Sequence, residues 1–187
     1  MFDFCWTFTL RWEGGLCDDA GDPGWITKYG VDLRMLKGMQ SPMDKAKLEL
    51  LGIRQPVTRQ TIKDLTKTQA AGVYRYQVWD KLGLTMFPPV VQCVLFDAGV
   101  NNGNSQSVKF IQYAYNQRHA GKLAMDGKLG PKTRQAILTD DVKALARGAI
   151  DRREYFFRSL AKASPARKKF LAGWLNRVND LRRYLGL

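Results

Sequence analysis

The stretch PPVVQCVLFDAGVNNG, residues 88–103, decides the fold class of this chain. Pro88 and Pro89 suit the first turn of a helix, where a missing backbone N–H costs little. The apolar run that follows is too continuous for a surface helix and predicts a central, buried one. Asn101-Asn102-Gly103 is typical of a helix C-cap and predicts where this helix ends.

Helical patterns extend over most of the remaining chain. A short helix is predicted at residues 2–12, before Gly14-Gly15, and the capping box Thr66–Gln69 opens a helix that runs to about residue 82. The Asp-, Gly- and Pro-rich stretch LCDDAGDPGWITKYG, residues 16–30, predicts turns and a hairpin. Further helices are predicted at residues 106–117, 131–138, 140–162 and 165–185. The fold class is therefore all-α, mainly helical, with at most a small β-hairpin near residues 16–30.

Net charge is unevenly distributed along the 187 residues. Residues 1–90 hold 12 Lys and Arg against 10 Asp and Glu, whereas residues 91–187 hold 18 against 7. The positive charge of residues 91–187 attracts polyanions. It does not distinguish nucleic acid, lipopolysaccharide, anionic lipid or cell-wall carboxylates. No segment approaches the roughly 18 apolar residues of a membrane span, and the first residues lack the pattern of a signal peptide.

Glu13 is the candidate proton donor of a glycosidase. Cleavage of a glycosidic bond needs a carboxylic acid that is protonated beside the leaving oxygen, and usually a second group that holds water. Glu13 faces the negative end of the first helix dipole, and Trp6 or Trp12 can desolvate it; both effects favour the protonated carboxyl group.

A water site is also available in the sequence. Asp22 follows Glu13 by nine positions across a segment able to fold back, and the hydroxyl group of Thr27 can hold a water molecule. Taken as isolated strings, E-G-G and D-P-G also suit an exposed helix end and a plain turn.

Five motifs, in order over nearly the whole chain, resemble glycoside hydrolase family 108 with its C-terminal predicted peptidoglycan domain. They are E-G-G at 13–15, D-P-G-W-I-T-K-Y-G-V at 22–31, Y-R-Y-Q-V-W-D at 74–80, F-D-A-G-V-N-N-G at 96–103 and D-G-K-L-G-P-K-T at 126–133. The resemblance implies a lysozyme-like helical lobe and an N-acetylmuramidase of the phage-endolysin type. It makes Glu13 the catalytic acid, with Asp22 and Thr27 as further catalytic candidates.

The chain departs from these relatives at two places. The spacing of Glu13, Asp22 and Thr27 is similar to the Glu, Asp, Thr arrangement of phage lysozymes, but this chain has one residue fewer between Asp22 and Thr27. Trp25 stands where glycoside hydrolase family 108 usually has a second glycine, and its ring offers a surface for stacking on sugar. Polar groups at Tyr74, Asp97, Asn101 and Asn102 are candidates for the opposite wall of a sugar-binding cleft. The alternative for Asp97 is a buried structural carboxylate, and for Asn101-Asn102 a plain helix terminus.

The resemblance also implies an organisation and a site of action. We expect a catalytic lobe at residues 1–87 and a helical peptidoglycan-domain lobe at residues 88–187, packed as one globular unit. The polymeric substrate is bacterial peptidoglycan, no cofactor and no metal are expected, and the protein is a monomer without a nucleic-acid partner. Because no signal peptide or membrane span is recognisable, we expect it to be made in the host cytoplasm and to reach the periplasm or cell wall at lysis.

Other functions fit the composition less well. A basic nucleic-acid-binding protein lacks a known motif, and Phe156, Phe157, Trp174 and Tyr184 have the helical spacing of core residues. A lytic transglycosylase would use the same acid without water, and a basic wall- or membrane-binding protein would need no catalysis.

Nucleophilic and metal-dependent hydrolysis lack suitable residues. Cys93 lies in an apolar run, and His119 is the one histidine of the chain. The three cysteines fit no disulfide framework and are predicted to be reduced.

The C-terminal segment from Ala166 predicts a basic amphipathic helix. Phe170, Trp174, Val178, Leu181 and Leu185 form its apolar stripe, with Lys168, Lys169, Arg182 and Arg183 outside it. Its apolar face suits packing on a core, while its basic face suits electrostatic contact with an anionic envelope.

Overall fold

The computed structural model describes residues 1–18 and 26–187, so Asp22 and Trp25 lie outside the described residues. The chain divides into two compact units, one formed by Phe2–Lys81 and the other containing Leu82–Leu187. Within the described ranges, no helix combines the length and the apolar character needed to cross a membrane. The division into lobes at residues 1–87 and 88–187 stays a prediction.

The first unit begins with helix α1, Phe2–Trp12, and continues into a small sheet of three short strands. The strands are β1, Cys17–Asp18, β2, Ile26–Lys28, and β3, Val31–Asp32. They are antiparallel in the order β1-β2-β3, with Thr27 opposite Cys17 on one side and Asp32 on the other. The predicted mainly helical fold with a small hairpin near residues 16–30 is confirmed, and β3 extends that hairpin by one strand.

A tight turn at Tyr29-Gly30 joins β2 to β3. Both residues have positive φ, 52° for Tyr29 and 77° for Gly30, as a two-residue hairpin turn of type I′ requires. Glycine adopts this conformation without strain, whereas tyrosine does not. The turn therefore fixes how the end of the hairpin is directed.

Four helices follow, and a side chain caps the first turn of each. They are α2, Leu33–Gly38, α3, Pro42–Leu50, α4, Arg59–Asp64, and α5, Lys67–Tyr74. At α5 the hydroxyl group of Thr66 accepts from the Gln69 N–H, and the Gln69 side chain accepts from the Thr66 N–H, which confirms the predicted capping box. The continuation to residue 82 is not regular, because Arg75–Asp80 forms a π-helix.

The second unit is built around the helix that the opening sequence predicts. After a short 3₁₀ turn at Leu84–Met86, α6 spans Pro89–Asn102 and ends at Gly103 with φ 82°. Nine of its residues, Val91 to Gly99, are buried, as expected for a central helix. It packs against α7, Asn104–Arg118, and against α9, Val142–Ala163; the short α8, Pro131–Thr139, lies between those two in sequence.

The C-terminal helix is broken, so the prediction of one continuous helix at residues 165–185 is wrong. The chain forms α10, Pro165–Lys168, and then α11, Leu171–Leu185. Between them the N–H of Phe170 donates to the carbonyl of Arg167, three residues back, which tightens the helix into a turn. Of the predicted apolar stripe, Val178 and Leu181 are buried, whereas Phe170 is 50% exposed.

The prediction for the cysteines is also wrong in part. Cys5 and Cys93 are each disulfide-bonded, whereas Cys17 is a free, exposed thiol. Both bonded cysteines are buried among apolar side chains. A buried cysteine in an apolar run looks like an inert thiol in the sequence, because no local pattern marks it as disulfide-bonded.

Candidate active site

Glu13 lies where α1 meets the turn of the small sheet. It directly follows Trp12, the last residue of α1, and its N–H donates to the carbonyl of Thr9 at 3.2 Å. The carbonyl of the next residue, Gly14, accepts from the N–H of Tyr29 at 3.1 Å. The half-buried Glu13 side chain is thus held between a helix end and a hairpin turn.

Gly30 is in direct contact with the Glu13 carboxylate. A Cβ atom added at Gly30 would overlap Oε2 of Glu13 and would lie 2.7 Å from the hydroxyl oxygen of Tyr74. Such distances are shorter than van der Waals contact, so no residue with a side chain fits there without a shift of the carboxylate. The sequence places Gly30 in the motif that follows Glu13, but its contact with the acid was not foreseen.

Tyr74 reaches this site from α5. Its side chain is 2% exposed, and its ring packs against the ring of Trp6 with centroids 5.7 Å apart. The predicted cleft-wall residue Tyr74 therefore lies beside the predicted acid, with its hydroxyl group at Gly30. Trp6, which the sequence suggests as a neighbour of Glu13, packs on Tyr74.

Thr27 occupies the middle strand of the same sheet. Ile26 before it is fully buried, and Thr27 itself is half-buried, as the alternation along a strand requires. The sheet is held on α4 by Asp18, which pairs with Arg59 and lies 3.0 Å from Nζ of Lys63. The hydrogen bond from Lys63, with Arg59, holds the pKa of Asp18 below its ordinary value, although partial desolvation opposes this.

The predicted site residues of the second unit, Asp97, Asn101 and Asn102, meet around one arginine. Arg153 of α9 donates to Asp97 at 2.6 Å, to Asn102 at 2.9 Å and to Asn101 at 3.1 Å. Asp97, which is 1% exposed, also accepts from Nη2 of Arg177 at 2.7 Å. Asp97 is thus a buried carboxylate with ion-pair partners, and Asn101 and Asn102 lie at the end of α6 and accept hydrogen bonds from Arg153. A role of the three residues in sugar binding stays a prediction.

Burial alone would raise the pKa of Asp97, but two guanidinium groups outweigh it. Arg177 and Arg153 hold the carboxyl group ionised, so its pKa is well below the ordinary value. Neither arginine is among the residues that the sequence pattern singles out. For Arg153 a signal existed, because it occupies a core position of α9, between the buried residues Ile150 and Phe157.

In comparisons with known proteins, two family models match this chain. A model described as Glycosyl hydrolase 108 matches residues 6–103, and one described as Predicted Peptidoglycan domain matches residues 107–179. No curated protein matches the chain.

One solved structure is similar over nearly the whole length. Described as "Structure of Brucella abortus SagA", it has a TM-score of 0.74 and 26% sequence identity, and the match covers 99% of this chain and 94% of that chain. The first family model spans more than half of the 187 residues and contains Glu13, Gly30 and Tyr74. The chain belongs to the glycosyl hydrolase 108 family and is a glycoside hydrolase that acts on peptidoglycan.

Proposed function

We propose that this protein is an N-acetylmuramidase that lyses the bacterial cell wall in the manner of a phage endolysin. It hydrolyses the β-1,4 bond between N-acetylmuramic acid and N-acetylglucosamine, with Glu13 as the proton donor. The observation that carries the proposal is the placement of the Glu13 carboxylate at the end of α1, against Gly30 and the hydroxyl group of Tyr74. This is an acid held in place by backbone geometry, as proton donation to a leaving group requires.

In the proposed reaction Glu13 donates its proton to the glycosidic oxygen, and the bond from that oxygen to the anomeric carbon breaks. Water supplies the new oxygen on the anomeric carbon and loses a proton to a base. Asp22 is the proposed base and Thr27 the proposed water ligand. Tyr74 is a positioning residue in this scheme, since its hydroxyl group lies beside the carboxylate of Glu13.

The type of product separates hydrolysis from the rival lytic transglycosylase reaction. A muramidase leaves reducing N-acetylmuramic acid ends, whereas a transglycosylase uses no water and leaves anhydro-muramic ends. Mass spectrometry of purified peptidoglycan digested by the wild-type protein distinguishes them by the mass of one water molecule. Products with anhydro ends, or with reducing N-acetylglucosamine ends, would overturn the proposed bond and reaction.

Asp22 and Thr27 are tested in the same digest. We expect Asp22→Asn and Thr27→Ala to slow product release strongly, because each removes a group that holds or activates water. Retention of most of the rate by both variants would place the water elsewhere. Trp25 belongs to the same proposal as a sugar-stacking residue, and Trp25→Ala is expected to raise KM more than it lowers kcat.

The site of action in this proposal is the periplasm or cell wall, reached from the host cytoplasm at lysis. The disulfide-bonded Cys5 and Cys93 suit an oxidising compartment such as the periplasm. The protein is proposed to act as a monomer, without nucleic acid. The absence of nucleic acid from this proposal is supported by Phe157 and Trp174, because their rings stack on each other at 5.0 Å in the second unit.

The basic C-terminal face is proposed to contact the anionic envelope electrostatically. Arg182 is not available for this, because it pairs with Asp151 and Glu154, each at 2.8 Å. Lys168, Lys169 and Arg183 are exposed. Their replacement by Gln is expected to weaken lysis of permeabilised cells and to flatten its salt dependence, while turnover of small soluble muropeptides stays unchanged. Equal losses on both substrates would contradict this role.

A further inference from the structure

A groove of about 690 Å³ runs between α7 and α9 in the second unit. Its polar and aromatic lining consists of Tyr113, Gln117 and Arg118 from α7 and Arg147, Asp151, Arg152 and Tyr155 from α9. None of these residues belongs to the site around Glu13 or to the buried cluster around Asp97. Its volume lies within the roughly 300–1,000 Å³ that small-molecule sites occupy.

The groove forms because the two helices approach closely at small residues. A Cβ atom added at Gly148 of α9 would lie 3.0 Å from the Cβ atom of Ala114 on α7. Longer side chains lie beside this contact and line the groove, among them Arg152, four residues after Gly148 on α9, and Arg118, four residues after Ala114 on α7. A larger residue at position 148 would push the helices apart, so the shape of the groove depends on this contact.

Two arginines in this lining have no carboxylate partner within residues 1–18 and 26–187. The groove lining has two other charged residues. Arg118 pairs with Asp140 at 3.2 Å, and Asp151 pairs with Arg182. Arg147 is exposed and Arg152 is half-buried, and neither forms an ion pair among the described residues. The lining therefore has an excess of positive charge that its own acidic residue does not cancel.

Two tyrosine rings orient Arg152. Its guanidinium carbon lies 4.3 Å from the ring centroid of Tyr113 and 4.9 Å from that of Tyr155. A guanidinium group held over aromatic faces keeps its N–H donors free at the edges, where they match the two oxygens of a carboxylate. Tyr155 is 60% exposed, so its ring also offers an apolar surface to a ligand.

We propose that this groove binds the peptide stem of peptidoglycan through its carboxylates. The proposal rests on peptidoglycan as the substrate and adds a second contact, remote in sequence from Glu13. A neutral sugar chain does not need two uncompensated guanidinium groups, whereas a stem peptide has several carboxylates and aliphatic carbons that pack on tyrosine rings. Such a site holds the enzyme on polymeric wall material and does not take part in bond cleavage.

Binding of soluble fragments to a Glu13→Gln background, which leaves the ligand intact, tests this inference. The probes are a disaccharide with its tetrapeptide stem and, as the stemless probe, the neutral disaccharide of two N-acetylglucosamine units. The double substitution Arg147→Gln and Arg152→Gln is expected to raise the Kd for the stem-bearing probe about tenfold by calorimetry, because charge-assisted hydrogen bonds are lost. The Kd for the stemless probe should not change.

Lys143→Gln with Lys162→Gln is the matched control. It removes two positive charges from exposed positions of α9 outside the groove, and it should leave both affinities unchanged. Tyr155→Ala provides an independent variant, because an exposed ring can be removed without disturbing the core, and it should weaken the stem-bearing probe as well.

Three results would overturn the inference. The groove variants and the control could bind the stem-bearing probe equally well, or the wild-type affinities for the two probes could be equal. Alternatively, the groove variants could lose binding to phosphatidylglycerol vesicles and keep binding to the stem, which would assign the groove to a membrane. The product analysis is separate, since anhydro ends would refute the proposed hydrolysis and leave these affinities unaffected.

Discussion

The hydroxyl oxygen of Tyr74 and carboxylate oxygen Oε2 of Glu13 lie against the same face of Gly30, so that one added carbon atom would overlap both. Three segments distant in sequence, the end of α1, the hairpin turn and α5, thus meet at one carboxyl group. The backbone of the turn fixes the space that the carboxyl group occupies. Substitutions at these three positions test the proposed proton donor Glu13 and the two residues beside its carboxylate.

Glu13→Gln is expected to lower the rate of wall digestion by at least about two orders of magnitude, because it removes the proton donor and keeps the side-chain volume. Release of reducing ends from purified sacculi measures the rate, and thermal unfolding shows whether the fold is intact. A folded variant that clears sacculi at nearly the wild-type rate would refute the role of Glu13.

Gly30→Ala is expected to lower kcat about tenfold or more, because its methyl group displaces the carboxylate of Glu13 and the hydroxyl group of Tyr74. The positive φ of 77° adds strain on the order of 1–2 kcal/mol. Gly52→Ala is the control, with φ 69° and a nearest neighbour at 3.7 Å. Gly52→Ala should lose similar stability and keep its kcat. Equal losses of kcat in both variants would show that backbone strain, and not displacement of the Glu13 carboxylate, lowers kcat in Gly30→Ala.

Tyr74→Phe is expected to lower kcat about tenfold and to shift the pH dependence of kcat, while KM changes little. The substitution removes the hydroxyl group beside Glu13 and keeps the ring that packs on Trp6. Tyr76→Phe, in the π-helix that follows α5, is the control, since the Tyr76 hydroxyl group hydrogen-bonds to Asp44 instead. A pH profile identical to that of the wild type would leave Tyr74 with a packing role only.

Asp97→Asn is expected to lower the free energy of unfolding by about 3–5 kcal/mol, because two buried guanidinium groups lose their shared counter-charge. Chemical denaturation measures this loss. Asp151→Asn removes a carboxylate from an exposed pair with Arg182 and should cost no more than about 1 kcal/mol. Similar small losses for both variants would contradict the structural importance of the Asp97 cluster.

Stability should fall at acid pH in a defined range. The hydrogen bond from Ser41 lowers the pKa of Asp44 to about 2, and ion pairs lower the pKa of Asp97. A carboxyl group whose pKa is lower in the folded state stabilises above its unfolded value, about 3.9, and loses this contribution as pH falls through the folded value.

Melting temperatures should therefore be steady from neutral pH to about 5 and should then decline towards pH 2. Asp44→Asn is expected to make this decline less steep, because Asp44 no longer binds a proton on unfolding. An unchanged slope would show that Asp44 does not contribute to acid sensitivity.

Sequence predicted most of the helical fold because the deciding signals are local. The prolines before α6, the capping box at Thr66 and the glycines after Glu13 act within a few residues of their own positions. The contacts of Gly30 and Arg153 could not be predicted in this way, because their partners lie far along the chain. The break before α11 was missed because apolar spacing continues across it, although the backbone tightens at Phe170.

The π-helix at Arg75–Asp80 has a consequence for the position of Tyr74. Two buried pairs in this region, Val73 with Val78 and Tyr74 with Trp79, are spaced five residues apart. In a regular α-helix, with about 100° per residue, such pairs would point in clearly different directions, but the wider turn brings both members to the core. The π-helix thus accommodates an additional residue, while the buried residues before and after it still face the core. A π-turn holds one residue more than an α-turn, so the deletion of one residue within Arg75–Asp80 is expected to leave a regular α-helix in which Tyr74 still faces the core.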